Sequence, residues 1–219
     1  MSLKSVARVA QRAQADQLAP RTARADGQPD GRHERTRRTR AAIVQALFEL
    51  TEAGELQPTA QAIADRAGVA VRSIRQHFAS REQLFLAAAE VHARRTIATR
   101  PTLDATLAAP ARVAAFAALR GRELESTRAL RRSVGLVEHR SAVIAQAARQ
   151  LGALRRREVA QAFATELAAA PATARRGLLD RLDAVSTGKL WDVLRGDLGL
   201  AAAAAERQLA ELVSAILGV

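Results

Sequence analysis

The 219-residue chain contains no cysteine, no tyrosine and a single tryptophan. Without cysteine it has neither disulfides nor thiolate chemistry, and a reducing compartment is compatible with this composition. No uninterrupted apolar run approaches the roughly 18 residues of a membrane span. The Arg- and Gln-rich N-terminus also lacks the apolar core of a signal peptide. We therefore expect a cytoplasmic protein that has no membrane partner.

The sequence also lacks the motifs of the common enzyme classes. It has four histidines without paired metal-ligand spacing, no glycine-rich phosphate loop and no nucleophile elbow. One cluster of polar side chains in the C-terminal half is a candidate functional site, Glu138-His139-Arg140. It is either a surface cluster at a helix end or a polar contact for a small molecule in an apolar cavity. We expect no enzyme, no metal site and no cofactor.

The residues that are abundant are good helix formers. Hydrophobic residues make up 48% of the chain and aromatic residues 3%, with much alanine and leucine. No convincing alternating strand pattern occurs, so the composition predicts an all-α fold. A chain of this length can form one large or two small domains and bury a sizeable core.

The net charge of +12 is concentrated near the N-terminus. Residues 1–40 hold ten Lys or Arg against four acidic residues, whereas residues 41–95 hold six of each. We expect residues 1–32 to be a disordered basic arm. The arm either keeps the chain in solution or tracks DNA phosphates and enters a minor groove, as homeodomain arms do. The second interpretation uses four arginines: Arg35, Arg37, Arg38 and Arg40.

Residues 39–85 begin with an amphipathic helix. Its apolar stripe includes Ile43, Val44 and Leu47 at helical spacing. Gly54 follows the last periodic residue, where a glycine commonly ends a helix. The sequence therefore predicts one helix up to this glycine.

Two short helical segments follow. Thr59 is a suitable N-cap for the first, Ala60 to Arg66. Gly68 permits the sharp turn into the second, Val71 to His77, in which Ile74 points inward. This order of elements is typical of a helix-turn-helix that reads duplex DNA, although it also occurs as an ordinary part of all-α cores.

The second segment has the side chains of a base reader. Arg72 is the first candidate, because a guanidinium can bind O6 and N7 of guanine together in the major groove. Ser80 and Gln83 have the capping-box spacing for a further helix, and Arg81 in its first turn suits a phosphate. The predicted DNA-binding residues are Arg38, Arg40, Thr59, Val71, Arg72, Ser73, Arg75, Gln76, His77 and Arg81.

Five short features follow one another along this segment: Ile63-Ala64, Ala67-Gly68-Val69, Ser73-Ile74, His77-Phe78, and Ser80-Arg81-Glu82 with Leu84. Together they resemble the DNA-binding domain of the TetR family of transcriptional regulators, over roughly residues 35–90. Three positions depart from the family pattern. Ala70 stands where the family usually has serine. Arg75 stands where it usually has an aromatic residue that touches the DNA backbone, and Arg81 stands where it commonly has lysine.

The remaining chain reads as a series of helices. They are expected at Ser80 to Thr99, Pro110 to Arg128, Ala129 to Val137, Ser141 to Ala169, Ala172 to Leu194 and Ala201 to Leu217. The division expected is a helix-turn-helix domain over residues 33–80, followed by a helical ligand-binding and dimerisation domain over residues 81–219. The predicted effector-binding residues are Phe116, Leu119, His139 and Phe163.

The last helix has apolar residues at i, i+3, i+4, i+7 and i+8. This face packs in part on its own subunit, and two adjacent apolar helices can also form a four-helix interface with a symmetry mate. The stretch from Trp191 to Leu217 resembles the family's C-terminal part, where the last two helices usually dimerise. The predicted interface residues are Leu182, Leu209, Leu212, Val213 and Ile216.

These patterns predict a homodimeric, sequence-specific DNA-binding regulator that binds a palindromic operator in double-stranded DNA. The resemblance implies a repressor that a small-molecule effector releases from the operator. Two other classes stay open. A nucleoid-type protein would bind DNA without sequence preference, and a small-molecule-binding module would have lost DNA binding, with Ala70 and Arg75 as its best support.

Overall fold

A computed structural model describes residues 31–99, 103–104 and 106–219. The expected arm, apart from its last two residues, lies outside the described part. That part contains eleven α-helices, one π-helical turn at Val193–Asp197, and no strand. The helices are α1 Gly31–Glu52, α2 Ala60–Ala67, α3 Val71–His77, α4 Arg81–Thr99, α5 Ala109–Ser126, α6 Arg128–Glu138, α7 Ala142–Ala162, α8 Ala164–Ala169, α9 Ala172–Val185, α10 Gly188–Asp192 and α11 Ala202–Leu217. The all-α expectation is confirmed.

The helices form two compact units. The first contains the described residues up to Thr99 together with Ala129–Ala147, and the second contains the described residues between Arg100 and Arg128 together with Ala148–Val219. This division differs from the boundary that the sequence suggests at residue 80. The inserted segment belongs to the first unit because Leu130 and Ile144 share its core.

The first unit is built around α1. Ile43 and Leu47 of α1 are almost completely buried, and they pack in one cluster with Ile63 of α2, Ile74 of α3 and Phe85 of α4. Burial of this kind typically stabilises by about 1.5–3 kcal/mol for each large apolar side chain. Each short helix is therefore held by the side chains that it contributes to this core.

The second unit has its own core, in which α5 packs along α11. Trp191, Phe116 and Leu209 are among its most deeply buried side chains. Gly121 lies on α5 where the Trp191 ring passes, and a Cβ there would meet the ring at 3.1 Å. A glycine at this position lets the indole lie directly against the backbone of α5.

Two of the predicted long helices are interrupted. The helix expected over Ser141 to Ala169 breaks at Phe163, which leaves the helical conformation with φ −118° and ψ 33°. The helix expected over Ala172 to Leu194 ends at Val185 instead. Thr187 then caps a new helix by accepting a hydrogen bond from the Leu190 N–H at 3.3 Å. The second break therefore has a local signal, the N-cap.

Glu125 of α5 joins three elements of the second unit. Its carboxylate accepts hydrogen bonds from the Trp191 indole N–H at 2.7 Å and from Arg195 at 2.8 and 3.0 Å. The guanidinium of Arg195 holds the pKa of this carboxyl below its ordinary value of 4.5. The ionised carboxylate is therefore the form that the folded unit prefers.

Glu125→Gln should lower the urea midpoint of the second unit at neutral pH. A depressed carboxyl pKa contributes stability that is present above the unfolded value of 4.5 and is lost as the pH falls through the folded value. The variant should therefore lose less of its remaining stability than the natural protein as pH falls below 4.5. Fluorescence of Trp191, the single tryptophan, reports this unit alone. Glu211→Gln, an exposed position, is the control, and equal pH dependence in all three proteins would contradict the assignment.

Candidate nucleic-acid interface

The turn between α2 and α3 has the geometry that the sequence predicts. The Thr59 hydroxyl accepts a hydrogen bond from the Ala62 N–H at 3.0 Å, which confirms Thr59 as the N-cap of α2. Gly68 ends α2 in the left-handed conformation with φ +66°. A Cβ makes this conformation costly, so glycine is the suitable residue for the turn. Residues 60–77 therefore form a helix-turn-helix.

The third helix presents most of its polar side chains to solvent. Ile74 is 7% exposed and anchors α3 on the core. Arg72, Arg75 and Gln76 are exposed, and the remaining predicted contacts on α3 are half-buried: Val71, Ser73 and His77. One face of α3 is therefore free for three long side chains that donate hydrogen bonds, which is what major-groove reading requires.

The start of α4 has one of the two bonds of the predicted capping box. The Ser80 hydroxyl accepts a hydrogen bond from the Gln83 N–H at 3.3 Å. The Gln83 side chain accepts its bond from the N–H of Ala79, the residue before the cap, at 3.1 Å, where a full capping box would use the N–H of Ser80. The Ser80 hydroxyl also lowers the pKa of Glu82. Arg81 is exposed, and its guanidinium lies 5.5 Å from the centroid of the Phe85 ring. This arrangement leaves the Arg81 charge at the surface beside the helix-turn-helix.

The four arginines that the sequence places just before the first helix lie on that helix. Arg35, Arg37, Arg38 and Arg40 all belong to α1, which begins at Gly31. Glu34 stabilises this part of the helix, because it pairs with Arg37 one turn away and with Arg38 at 3.2 Å. The first helix therefore starts earlier than its apolar stripe suggests and includes these four residues. A DNA contact from Arg38 stays a prediction.

Arg40 makes contacts within the first unit. Its guanidinium donates a hydrogen bond to the backbone carbonyl of His77 at 3.0 Å and lies 4.3 Å from the centroid of the Phe78 ring. Both partners are at the end of α3, 37 residues away in the chain. Sequence reasoning missed this role, because nothing in the local pattern indicates the partner.

The predicted effector residues do not form one cluster within either unit. Phe116 and Phe163 meet edge to face in the core of the second unit, with ring centroids 4.9 Å apart, and Leu119 is half-buried there. His139 belongs to the first unit. It is exposed and accepts a hydrogen bond from Arg140 at 3.0 Å. Effector binding by these residues stays a prediction.

The predicted dimer residues divide between core and surface. Leu182, Leu209 and Val213 are at most 1% exposed because they pack in the core of their own unit. Leu212 is 36% exposed and Ile216 is half-buried. In this structure, Leu212 is therefore the member of the set that is most available to a second subunit.

Within the described ranges, no group of three or more His, Asp or Glu side chains is arranged to hold a metal ion. None of the described helices is both long and apolar enough to cross a membrane.

Residues 43–88 match the family model described as bacterial regulatory proteins, tetR family. These residues cover α2, α3 and the parts of α1 and α4 that pack on them. The chain carries the DNA-binding domain of a TetR-family regulator. A solved structure of a transcriptional regulator from Rhodococcus sp. Rha1 has a similar fold, with a TM-score of 0.62 and 16% sequence identity over 84% of this chain and 96% of that one. A search of curated proteins finds no match.

The missing serine at the start of α3 gives a testable prediction. Ala70 is the N-cap residue, has the extended conformation of an N-cap, and makes no side-chain hydrogen bond. Ala70→Ser should stabilise the first unit by about 0.5–2 kcal/mol, because its hydroxyl can accept an N–H of the first turn. Thermal unfolding followed by circular dichroism measures the change.

The matched control is Ala41→Ser, an exposed position inside α1. Serine is a poorer helix former than alanine there, so this variant should be unchanged or slightly destabilised. A gain of the same size in both variants would show that capping of α3 is not the cause.

Proposed function

We propose that this DNA-binding regulator is a homodimeric repressor that reads a palindromic operator and is released from it by a small-molecule effector. The observation that carries the DNA-reading part is the exposed face of α3. Arg72, Arg75 and Gln76 project from a helix whose opposite side is fixed to the core by Ile74. A helix of this kind fits the major groove, which is about 12 Å wide.

The charge distribution separates phosphate contact from base reading. Residues 41–95 have no net charge, so the basic excess of the first unit lies mainly on the first turns of α1 and not on the helix-turn-helix. Phosphate neutralisation supplies non-specific affinity but no sequence preference, which has to come from α3. Arg81, and Arg38 on the first turns of α1, supply phosphate contacts, and Arg72 supplies the base contact.

The homodimer is supported by one exposed leucine on the last helix of the second unit. Leu212 lies on α11, which forms one side of that unit's core through Leu209 and Val213. A two-fold interface along this helix would bring two copies of α3 to successive major grooves when they lie about 34–36 Å apart. Two linked half-sites give far higher affinity than one.

The repressor mechanism requires only that the dimer occupies a promoter. An effector that prefers a conformer with another spacing of the two α3 helices would release the dimer from the operator. An effector that binds both conformers equally well would not change the equilibrium between them, so the effector must bind the released conformer much more tightly. Such a protein works where the chromosome is, in the bacterial cytoplasm.

Selection from a pool of random-sequence duplexes tests this function. The purified chain should enrich one palindromic sequence. Diffuse binding of all duplexes would indicate a nucleoid-type protein, and no binding would indicate a small-molecule-binding module. Both outcomes would overturn the proposal.

Arg72→Ala should weaken binding to the enriched duplex and relax the base preference at one symmetric position. The loss of a bidentate guanine contact costs about 1–3 kcal/mol of discrimination. Competition binding against duplexes changed at single positions measures it. Arg132→Ala, which removes the same charge from an exposed site on α6, should keep the natural preference. An Arg72→Ala protein with unchanged preference would show that Arg72 does not read bases.

Leu212→Glu should dissociate the dimer and reduce operator binding, because it places two unpaired carboxylates in one two-fold interface. Sedimentation measures the mass, and circular dichroism tests whether the helices remain. Leu151→Glu is the matched control, since Leu151 is a 41% exposed leucine on α7 of the same unit. A folded Leu212→Glu dimer of natural mass would place the interface elsewhere.

A further inference from the structure

The recognition helix α3 is attached to the core through its first four residues, because Ile74 is buried there and Val71 packs, partly buried, against the same cluster. It comprises only seven residues, Val71–His77, and Ile74 is its one buried side chain. Its N-terminal end has no side-chain cap, because Ala70 occupies that position. The last turn of α3, Arg75 to His77, contributes no buried side chain, so a contact at that end is needed to fix the direction of the helix.

Arg40 provides that contact at the C-terminal end of α3. The guanidinium donates to the His77 carbonyl at 3.0 Å, so it satisfies one of the carbonyls that a helix end leaves without an internal partner. The same group lies 4.3 Å from the centroid of the Phe78 ring, which is 3% exposed. Phe78 is in turn tied to α3 by its N–H, which donates to the Ile74 carbonyl at 2.8 Å.

The two contacts use different properties of one planar cation. A positive charge is favourable at a helix C-terminus, where the backbone carbonyls concentrate negative partial charge. The face of the guanidinium can lie over an aromatic ring while its edge donates hydrogen bonds. A lysine ammonium has the charge but cannot make both contacts in this planar arrangement. The geometry therefore depends on arginine specifically.

We propose that Arg40 is a positioning residue for DNA reading, which fixes the direction of α3 through His77 and Phe78. It does this from α1, which is itself anchored in the core by Ile43 and Leu47. Base reading needs side chains held within about 0.5 Å and 10–20° of their productive positions. A tilt of α3 displaces Arg72, Arg75 and Gln76, and base contacts tolerate such a displacement less well than phosphate contacts do.

This inference rests on the proposed reading of an operator, and it differs from a direct phosphate contact by Arg40. Loss of a phosphate contact weakens binding to all duplexes about equally and reduces the salt dependence of binding by roughly one unit per contact. Loss of positioning weakens binding to the operator selectively. The affinity for the operator divided by the affinity for an unrelated duplex, here called the discrimination ratio, distinguishes these cases.

The experiment first selects a duplex from a random-sequence pool with the natural protein. Failure to enrich any sequence would overturn the proposed function before Arg40 is tested. Affinities for the enriched duplex and for a scrambled duplex of equal length and composition are then measured at three salt concentrations. The temperature is one at which circular dichroism shows every variant fully helical.

Arg40→Ala should reduce the discrimination ratio by at least about fivefold, the lower end of what one base contact contributes. Affinity for the scrambled duplex and its salt dependence should stay unchanged. Arg40→Lys should give a ratio between those of the alanine variant and the natural protein. Arg132→Ala, which removes the same charge from an exposed position on α6 of the same unit, should leave the ratio unchanged.

Three results would overturn the inference. An equal loss on both duplexes with a shallower salt dependence would make Arg40 a phosphate contact. An unchanged ratio in a folded Arg40→Ala protein with a lower melting temperature would make it a purely stabilising residue. An Arg40→Lys protein with the natural ratio, or an Arg132→Ala protein with the reduced one, would show that charge alone is responsible. If Arg40→Ala does not fold, Arg40→Lys decides between these results.

Discussion

The burial of α1 in the first unit is the constraint on which the DNA-facing surface depends. Ile43 and Leu47 occupy the centre of a core to which α2, α3 and α4 each contribute one or two large side chains. Because Ile63 and Ile74 must point toward α1, the opposite sides of their short helices face solvent. The positions of Arg72, Arg75 and Gln76 therefore follow from an apolar contact that none of them makes. Substitutions in this core should therefore change the base preference of DNA binding as well as the stability of the unit.

The second unit is organised by buried cations in addition to its apolar core. Arg112 and Arg120 of α5 are 5% and 2% exposed. Arg112 pairs with Glu166 of α8, and Arg120 pairs with Glu158 of α7 at 3.1 Å. A buried charge is costly unless a partner of opposite sign lies within hydrogen-bond distance. These pairs therefore permit few alternative alignments of α5, whereas an aliphatic contact would tolerate small displacements.

The sequence predicts those features that have a local chemical cause. Thr59 and Gly68 mark the ends of α2 because a cap and a left-handed turn each require particular residue types. The break at Phe163 has no such signal, since burial of its ring against Phe116 is a tertiary effect. The contact of Arg40 with His77 spans 37 residues and cannot be read from either neighbourhood. Helical periodicity likewise identifies the apolar face of α11 but does not say which of its residues pack in the monomer.

The helical state of the first turns of α1 has a thermodynamic consequence for any DNA contact made there. A flexible segment that orders on DNA loses backbone entropy, which costs about 1–2 kcal/mol for each residue fixed. Arg35, Arg37 and Arg38 already lie on a formed helix, so only their side chains have to be immobilised. Their association with phosphates would therefore lack the large heat-capacity decrease that accompanies coupled folding and binding. The favourable contribution to the binding free energy that remains is the release of counterions from the duplex. The contribution of this helix to DNA binding would therefore be mainly entropic.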